Sequence, residues 1–226
     1  MRTPLLLINF KNYPETAGSR GIRLARIAEG VARELGVEIA IAPPIPLLAS
    51  AAQIVAIPVF AQHVDPDEAG NTTGAIVAEQ VKEAGGVGSL VNHSERRIPF
   101  ESIQTVVQRL AKVNMASMVC ARSPEEVTTI ASLSPSFVAI EPPELIGSGR
   151  AVSKVQPDVV RESAAAAYRV NPHLALICGA GIVSGEDVEA ALRLGAKGAL
   201  VASGIVKAKD WGRAIREIAR PLSVDL

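Results

Sequence analysis

The sequence predicts an α/β fold, a single-domain (β/α)8 barrel over residues 1–226. Three observations lead to this prediction. Eight short apolar runs alternate with amphipathic segments along the chain, as strands and helices do in a parallel barrel. The runs do not alternate apolar with polar residues, which is typical of parallel strands buried on both faces. The first run leads into Asn9-Phe10-Lys11-Asn12-Tyr13-Pro14 without a glycine, whereas an open doubly wound sheet usually has a Gly-rich turn at that point.

The predicted strands are rich in Val, Ile and Leu, which fit a buried pleated sheet. In chain order they are Leu5–Ile8, Ile39–Ala42, Val59–Ala61, Gly88–Val91, Ser117–Cys120, Phe137–Ile140, Leu174–Cys178 and Ala199–Val201. Eight such units in 226 residues leave little room for insertions.

Helices are predicted from apolar residues at helical spacing and from capping residues. Gly21–Leu35 and Phe100–Val113 each carry an apolar stripe opposite a charged face. Three further helices are predicted to begin after a capping side chain, namely Ser123 before Pro124, Ser184 before Gly185, and Asp210 before a helix with Trp211, Ile215 and Ile218 facing inward. Gly195 can end the helix that Ser184 begins.

The composition excludes several classes of protein and partner. Hydrophobic residues make up 48% of the chain, which excludes a disordered protein. Lys+Arg and Asp+Glu both number 23, so no net field attracts nucleic acid or an anionic membrane. Cys120 and Cys178 lie in separate predicted strands, which indicates buried thiols rather than a disulfide or a zinc site.

No membrane or export signal is predicted. The stretch Ile39–Val64 lacks charged residues and is long enough to span a bilayer, but prolines and polar residues interrupt it. The apolar run Leu5–Ile8 is too short for a signal peptide. We therefore expect a soluble chain in the cytoplasm.

Polar and small residues collect where the predicted strands end. In a parallel barrel these ends meet at one mouth, where the chemistry is found. The residues concerned are Asn9, Lys11, Gln62, His63, Asn92, His93, Ser94, Glu95, Glu141, Gly179, Ala180, Gly181, Ala202, Ser203 and Gly204.

Lys11 and His93 are candidates for binding an anionic carbonyl compound. Asn9 and Lys11 can share a face, which places a fixed positive charge in the mouth. The segment Ser94–Arg97 resembles the first turn of a short helix. The positive end of a helix dipole favours a neutral imidazole, which can donate a hydrogen bond to a carbonyl. The alternatives are a surface lysine and a capping or core histidine.

Glu141 ends the sixth predicted strand and is a candidate general base. The segment that follows it begins with Pro142-Pro143 and ends with Gly147-Ser148-Gly149. A chain that is stiff at one end and permissive at the other fits a hinged lid. The alternative is an ordinary loop glutamate.

The last two strands are followed by the small-residue loops Gly179–Gly181 and Ala202–Gly204. Backbone N–H groups can approach an anion closely at such loops, and barrels often bind a phosphate there. Each loop alone is more often a tight turn, so it is their joint placement that indicates a phosphate site.

The chain resembles the triosephosphate isomerase family, in its short archaeal branch. The resemblance rests on Asn9-Phe10-Lys11, on Asn92-His93-Ser94-Glu95-Arg96-Arg97, and on Ala139-Ile140-Glu141-Pro142 running to Gly149. It covers essentially the whole chain and implies a TIM barrel. It also implies an isomerase of glycolysis and gluconeogenesis that interconverts dihydroxyacetone phosphate and D-glyceraldehyde 3-phosphate, without a metal or an organic cofactor.

The same resemblance implies individual residue functions. Glu141 would be the base, His93 the electrophile and Lys11 the electrostatic stabiliser, with Glu95 supporting the lysine. The substrate-binding residues would be Asn9, Lys11, Ile146, Gly147, Gly181, Ala202 and Ser203. The tip Thr72-Thr73-Gly74 resembles a loop that reaches into a neighbouring subunit, which implies a homotetramer built from two dimers.

The chain departs from bacterial and eukaryotic relatives at three places. Glu144 stands where they carry a lid tryptophan, Gly179–Gly181 replaces a serine-bearing loop, and Ala202-Ser203 replaces a glycine pair. These differences fit the archaeal type and bear on the phosphate contacts.

Two other functions remain as alternatives. A catalytically inert phosphate-binding barrel would keep the small-residue loops but has no need of Lys11, His93 and Glu141 together. The second alternative is a different sugar-phosphate enzyme, such as an epimerase or an indole-forming lyase. An epimerase often has metal-binding histidines and aspartates at strand ends, and here no aspartate accompanies His63 or His93 at such an end. The lyase needs an aromatic-binding pocket, and aromatic residues are only 3% of this chain.

Overall fold

The computed structural model describes residues 1–223, so the last three residues of the predicted domain lie outside the described part. The strands are β1 Leu5–Asn9, β2 Glu38–Ala42, β3 Phe60–Ala61, β4 Gly88–Val91, β5 Ala116–Ala121, β6 Phe137–Ile140, β7 Ala175–Cys178 and β8 Gly198–Val201. Every predicted strand is present, and each boundary lies within one residue of the prediction.

The helices follow the strands in chain order, and the last two come after β8. They are α1 Ser19–Leu35, α2 Ile45–Ile54, α3 Ala78–Glu83, α4 Phe100–Lys112, α5 Pro124–Ala131, α6 Val152–Val155, α7 Pro157–Val170, α8 Gly185–Arg193, α9 Ser203–Val206 and α10 Trp211–Ala219. Within residues 1–223, no helix combines the length and the apolar character needed to cross a membrane.

The strands form one parallel sheet that curls into a nearly closed barrel. Their order is β2-β1-β8-β7-β6-β5-β4-β3, and a single bridge between Ile41 and Val59 joins the two ends. The predicted fold class is confirmed.

Successive strand residues alternate between two apolar cores. In β1, Leu5 and Leu7 point into the barrel, whereas Leu6 and Ile8 pack against the helices. Both sets are fully buried, which explains why Leu5–Ile8 is apolar at every position. The inward row of β1 continues to Asn9, so this polar side chain lies at the barrel mouth.

The predicted helix caps form. The Ser123 hydroxyl accepts the Glu126 N–H at 3.3 Å, and Asp210 accepts the Arg213 N–H at 3.0 Å. Ser184 forms a reciprocal capping box with Asp187 at the start of α8. In α10, Ile215 and Ile218 are buried as predicted, whereas Trp211 is only half-buried.

Candidate active site

A small cavity lies at the carboxyl ends of the strands. Its volume is about 40 Å³. It is lined by Asn9, Lys11, His93, Glu141, Ile146, Gly147, Ala180, Gly181, Ile182, Leu200, Val201, Ala202 and Ser203. All the residues predicted to be catalytic or substrate-binding therefore border one space, and Glu95 lies at the edge of a wider cavity beside it.

Lys11 reaches this cavity through a left-handed backbone conformation. Its φ is 47°, which is unfavourable for a residue with a side chain. The Asn9 Oδ1 atom accepts the Lys11 N–H at 2.9 Å, and Gln62 Nε2 donates to the Lys11 carbonyl at 3.0 Å. The Lys11 ammonium lies 2.7 Å from Glu95 Oε1, so the charge is held at the cavity edge.

His93 follows a second left-handed residue, Asn92, whose φ is 59°. The Asn92 side chain donates to the Cys120 carbonyl at 3.0 Å and accepts the Ile98 N–H at 3.2 Å. These two bonds brace the loop that carries His93 against β5 and against the approach to α4.

The short helix predicted at 94–97 is wrong. Residues 94–96 form a turn in which the Arg96 N–H donates to the His93 carbonyl at 2.7 Å. The chain turns back instead, and the Asn92 side chain holds the N–H of Ile98, five residues after His93. His93 therefore does not sit at a helix N-terminus.

A backbone hydrogen bond fixes the form of the His93 ring instead of a helix dipole. The Glu95 N–H donates to His93 Nδ1 at 3.2 Å. Because a backbone amide only donates, Nδ1 must be the acceptor, and the proton of the neutral ring is on Nε2. His93 Nε2 lies 3.7 Å from Glu141 Oε1, so the ring presents an N–H to the cavity beside the carboxylate.

Glu141 is buried at the end of β6, with only 4% of its surface exposed. Its N–H donates to the Ala121 carbonyl at 2.7 Å, which continues the pairing between β5 and β6. Among residues 1–223, its Oε2 atom is buried without a hydrogen-bond partner. Such an acceptor costs stability in a folded chain, and a function in catalysis is one reason for keeping it.

The two cysteines lie beside this carboxylate and are inert. Burial raises the pKa of Cys178 to about 12, and the neighbouring charge of Glu141 acts in the same direction. Burial, the charge of Glu141 and a hydrogen bond with the Glu141 carboxylate hold the pKa of Cys120 well above its ordinary value. Both thiols stay protonated, so neither is a nucleophile.

The segment after Glu141 has the predicted stiff beginning and permissive end. Pro143–Leu145 form one turn of 3-10 helix with Leu145 buried. Gly147 and Gly149 then adopt φ values of 68° and 70° in open space. Glu144 accepts a hydrogen bond from Gln156 Nε2 at 2.9 Å, which ties the start of the segment to the junction of α6 and α7.

The two small-residue loops pack tightly against their surroundings. Gly181 has a φ of 73°, and a Cβ there would lie 2.0 Å from the Arg150 carbonyl oxygen. A Cβ on Gly204 would lie 2.6 Å from the Ile182 carbonyl oxygen. The absence of side chains therefore lets these loops and the end of the lid segment meet at the cavity.

The wider cavity has a volume of about 350 Å³ and shares Asn9, Lys11 and His93 with the small one. His63 Nε2 on its wall lies 2.9 Å from Asp65 Oδ1. This histidine is therefore paired with an aspartate of the loop after β3, although no aspartate lies at the strand end itself. Within residues 1–223, no group of three His, Cys, Asp or Glu side chains could hold a metal ion.

Burial lowers the pKa of His63, and the positive charge of Arg96 adds to this effect, although the hydrogen bond to Asp65 opposes it. Asp65 also accepts the Ile76 N–H at 2.8 Å and pairs with Arg96 at 3.3 Å. The group therefore joins both ends of the 65–76 segment to the loop that carries His93.

Sequence reasoning missed Asp65 and Arg96, because neither follows a strand directly. It also treated Gly179 only as part of a flexible loop, whereas Gly179 packs against the Glu141 side chain. A pairing of residues from different loops leaves no pattern in one sequence.

The arrangement brings a carboxylate, a neutral imidazole N–H and an ammonium group to one small cavity. This set fits removal of a proton from a carbon beside a carbonyl, with the imidazole and the ammonium stabilising the oxyanion that forms.

Comparison with known proteins identifies close relatives. The family model described as Triosephosphate isomerase matches residues 4–219. The chain is 48% identical over 218 residues to a triosephosphate isomerase of Methanothermus fervidus, covering 96% of this chain and 98% of the relative. It is 49% identical over 222 residues to a triosephosphate isomerase of Pyrobaculum calidifontis, covering 98% and 97%.

A solved structure shares the fold. The crystal structure of triosephosphate isomerase from Bartonella henselae superposes with a TM-score of 0.76 at 21% identity, and the match covers 96% of this chain and 99% of that one. At this identity the likeness supports the barrel alone.

Proposed function

The chain belongs to the triosephosphate isomerase family, and we propose that Glu141, His93 and Lys11 carry out its reaction, the interconversion of dihydroxyacetone phosphate and D-glyceraldehyde 3-phosphate, through an enediolate. The chain is thus an isomerase of glycolysis and gluconeogenesis.

Glu141 starts the reaction as the base. Its carboxylate takes a proton from C1 of dihydroxyacetone phosphate, the C–H electron pair forms the C1–C2 double bond, and the carbonyl pair moves to O2. The Glu141 carboxylic acid then returns a proton to C2, which gives the aldehyde. Within residues 1–223, the Oε2 atom has no hydrogen-bond partner, which supports this function because few bonds have to break before the carboxylate accepts a proton.

His93 moves the proton between the two oxygens. Its Nε2–H donates to O2 as negative charge develops there, and Nε2 later accepts the proton from O1. The Lys11 ammonium stabilises the charge on the enediolate, and Glu95 supports the lysine through their 2.7 Å ion pair.

The phosphate is held by backbone groups of three loops in this proposal. Ile146 and Gly147 of the lid contribute from one side, and Gly181, Ala202 and Ser203 from the other. Asn9 and Lys11 complete the substrate site. Closure of the lid over the phosphate excludes water, so the enediolate is protected from losing phosphate.

The observation that carries this proposal is the pairing of His93 and Glu141. The Glu95 N–H fixes the His93 ring so that Nε2–H faces the cavity, 3.7 Å from the carboxylate. A phosphate-binding barrel without activity has no use for this arrangement.

A coupled assay with dihydroxyacetone phosphate, run with and without a chelator, tests the function. We expect turnover that the chelator does not change. Turnover that the chelator abolishes would favour a metal-dependent sugar-phosphate enzyme, and phosphate binding without turnover would favour the inert barrel.

We propose a homo-oligomer, specifically a tetramer of two loop-exchanging dimers. The tip Thr72-Thr73-Gly74 stands at the end of a segment whose base is closed by Asp65 and Ile76. The wider cavity beside Lys11 is large enough to receive such a tip, and Ile45 and Ile76 on its wall supply apolar contact.

The proposed compartment is the cytoplasm. Cys120 and Cys178 are both free and buried, which suits a reducing environment.

A further inference from the structure

The Glu141 carboxylate has few polar contacts that could hold it in place, and the Cys120 thiol is one of them. Within residues 1–223, Oε2 has no partner, and Oε1 is 3.7 Å from His93 Nε2, beyond hydrogen-bond distance. With so few polar contacts, a flexible glutamate depends largely on packing for its position.

Gly179 lies directly against the Glu141 side chain. A Cβ on Gly179 would lie 2.6 Å from Glu141 Cγ, 2.9 Å from Oε1 and 3.1 Å from Cδ. Carbon atoms in contact are normally about 3.5–4.0 Å apart. The side chain of the base therefore occupies the space that any other residue at position 179 would need.

Neither backbone is free to relieve such a clash. The Glu141 N–H donates to the Ala121 carbonyl at 2.7 Å, and the Gly179 N–H donates to the Ile140 carbonyl at 3.0 Å. Both bonds continue the pairing of the barrel strands. A Cβ at position 179 would therefore displace the Glu141 side chain rather than the chain on either side.

The need for glycine here is not conformational. Ala180 and Gly181 are left-handed, with φ values of 69° and 73°, whereas Gly179 is not among the residues with positive φ. Alanine could adopt the backbone of Gly179, so its missing Cβ matters only for the room it leaves.

We propose that Gly179 is a positioning residue for the base: its missing Cβ leaves the slot that sets where the Glu141 carboxylate lies relative to His93. This inference rests on the proposed function of Glu141. Moving Glu141 Cγ from 2.6 Å to normal contact takes about 1 Å, and a misplacement of that size can lower a rate about 100-fold.

The test is Gly179→Ala, with Gly30→Ala as its matched control. Gly30 lies on α1, and a Cβ there meets nothing within 4 Å. We expect Gly179→Ala to lower kcat about 100-fold, with KM and the inhibition constant of inorganic phosphate changed less than threefold, and Gly30→Ala to retain the parent kcat. A kcat within threefold of the parent would overturn the inference, as would an equal loss of phosphate binding.

Thermal unfolding gives a second readout that does not need activity. Any loss of Tm caused by Gly179→Ala should largely disappear in a Glu141→Ala background, because the clashing Cγ and carboxylate are then gone. An equal, measurable loss in both backgrounds would overturn the inference. A parent chain without isomerase activity would instead reject the proposed function, which separates the two failures.

Discussion

Lys11 keeps an unfavourable backbone conformation because its neighbours hold it there. A non-glycine residue at a φ of 47° costs about 1–3 kcal/mol. The Asn9 side chain and the Gln62 amide bind its N–H and its carbonyl. The sequence pattern suggested that Asn9 and Lys11 share a face. It could not indicate the left-handed conformation of Lys11, because the bond from Gln62 comes from the loop after β3. We interpret the strain as what turns the ammonium toward the cavity.

At this scale the base is the first residue to test. Glu141→Gln keeps the shape of the side chain and removes its basicity, so we expect kcat to fall about 10³-fold or more while the fold is retained. The coupled assay with dihydroxyacetone phosphate and far-UV circular dichroism measure the two quantities. Glu162→Gln on the exposed face of α7 is the control and should match the parent. Near-parental turnover of Glu141→Gln would eliminate Glu141 as the base.

Lys11 is tested in the same assay. Lys11→Ala removes the positive charge at the cavity and leaves Glu95 without its partner. We expect kcat/KM to fall about 10²- to 10³-fold, with substrate binding and turnover both weakened. Lys112→Ala, at the exposed end of α4, should have no effect. If kcat/KM is the same for both variants, Lys11 is only a surface lysine.

The strands were predictable as elements, and the loops between them were not. Phe137–Ile140 matches the prediction at both ends, because residues buried on both faces give an uninterrupted apolar run. Gly88–Val91 also matches at both ends, although it contains Ser89. The turn at 94–96 was mistaken for a helix because Glu95, Arg96 and Arg97 are good helix formers that follow a serine. What decides its shape is the bond from Ile98 to Asn92, a tertiary contact that overrides local propensity.

The segment 65–76 has a prediction of its own, since His63 and Asp65 hold its base. Because burial lowers the pKa of His63 below 6.5, the unfolded chain binds more protons than the folded chain just below that pH. Above pH 6.5, His63 does not reduce the free energy of unfolding. As the pH falls from 6.5 toward the folded pKa, proton binding to the unfolded chain lowers that free energy.

Denaturant unfolding between pH 7.5 and 5, at constant protein concentration, measures this slope. We expect His63→Gln to reduce it and His173→Gln, a change at an exposed histidine, to keep it. An unchanged slope in His63→Gln would contradict the prediction. A slope lost in His173→Gln would assign it to that histidine instead.

At the scale of the whole molecule, barrel closure is what assembles the site. Residues at or just after the carboxyl ends of β1, β4, β6, β7 and β8 line one cavity because parallel strands all end at the same mouth. This much follows from the order of the strands in the sequence. The shape of the wider cavity does not, since it depends on how Arg96 and the 65–76 segment pack together.

The proposed assembly predicts the effect of a charge at the tip of that segment. Thr73→Arg would bring a cation toward Lys11 and Arg96 on the wall of a neighbouring copy's cavity. We expect the tip contact to weaken by about 2 kcal/mol, roughly 30-fold in dissociation constant, so that smaller species appear in sedimentation experiments. Ala56→Arg, before β3 at the opposite end of the barrel, is the control. If both variants sediment like the parent, the tip does not mediate assembly.

The central claim is that Glu141 exchanges a proton with a carbon of the bound triose phosphate. The most direct test is to convert dihydroxyacetone phosphate in D₂O and to measure deuterium in the substrate and the product by NMR. We predict deuterium at the carbons next to the carbonyl groups with the parent chain, and a rate lowered about 10³-fold or more with Glu141→Gln. Exchange at the parental rate in Glu141→Gln would contradict the account, because the proton would then be taken by another group.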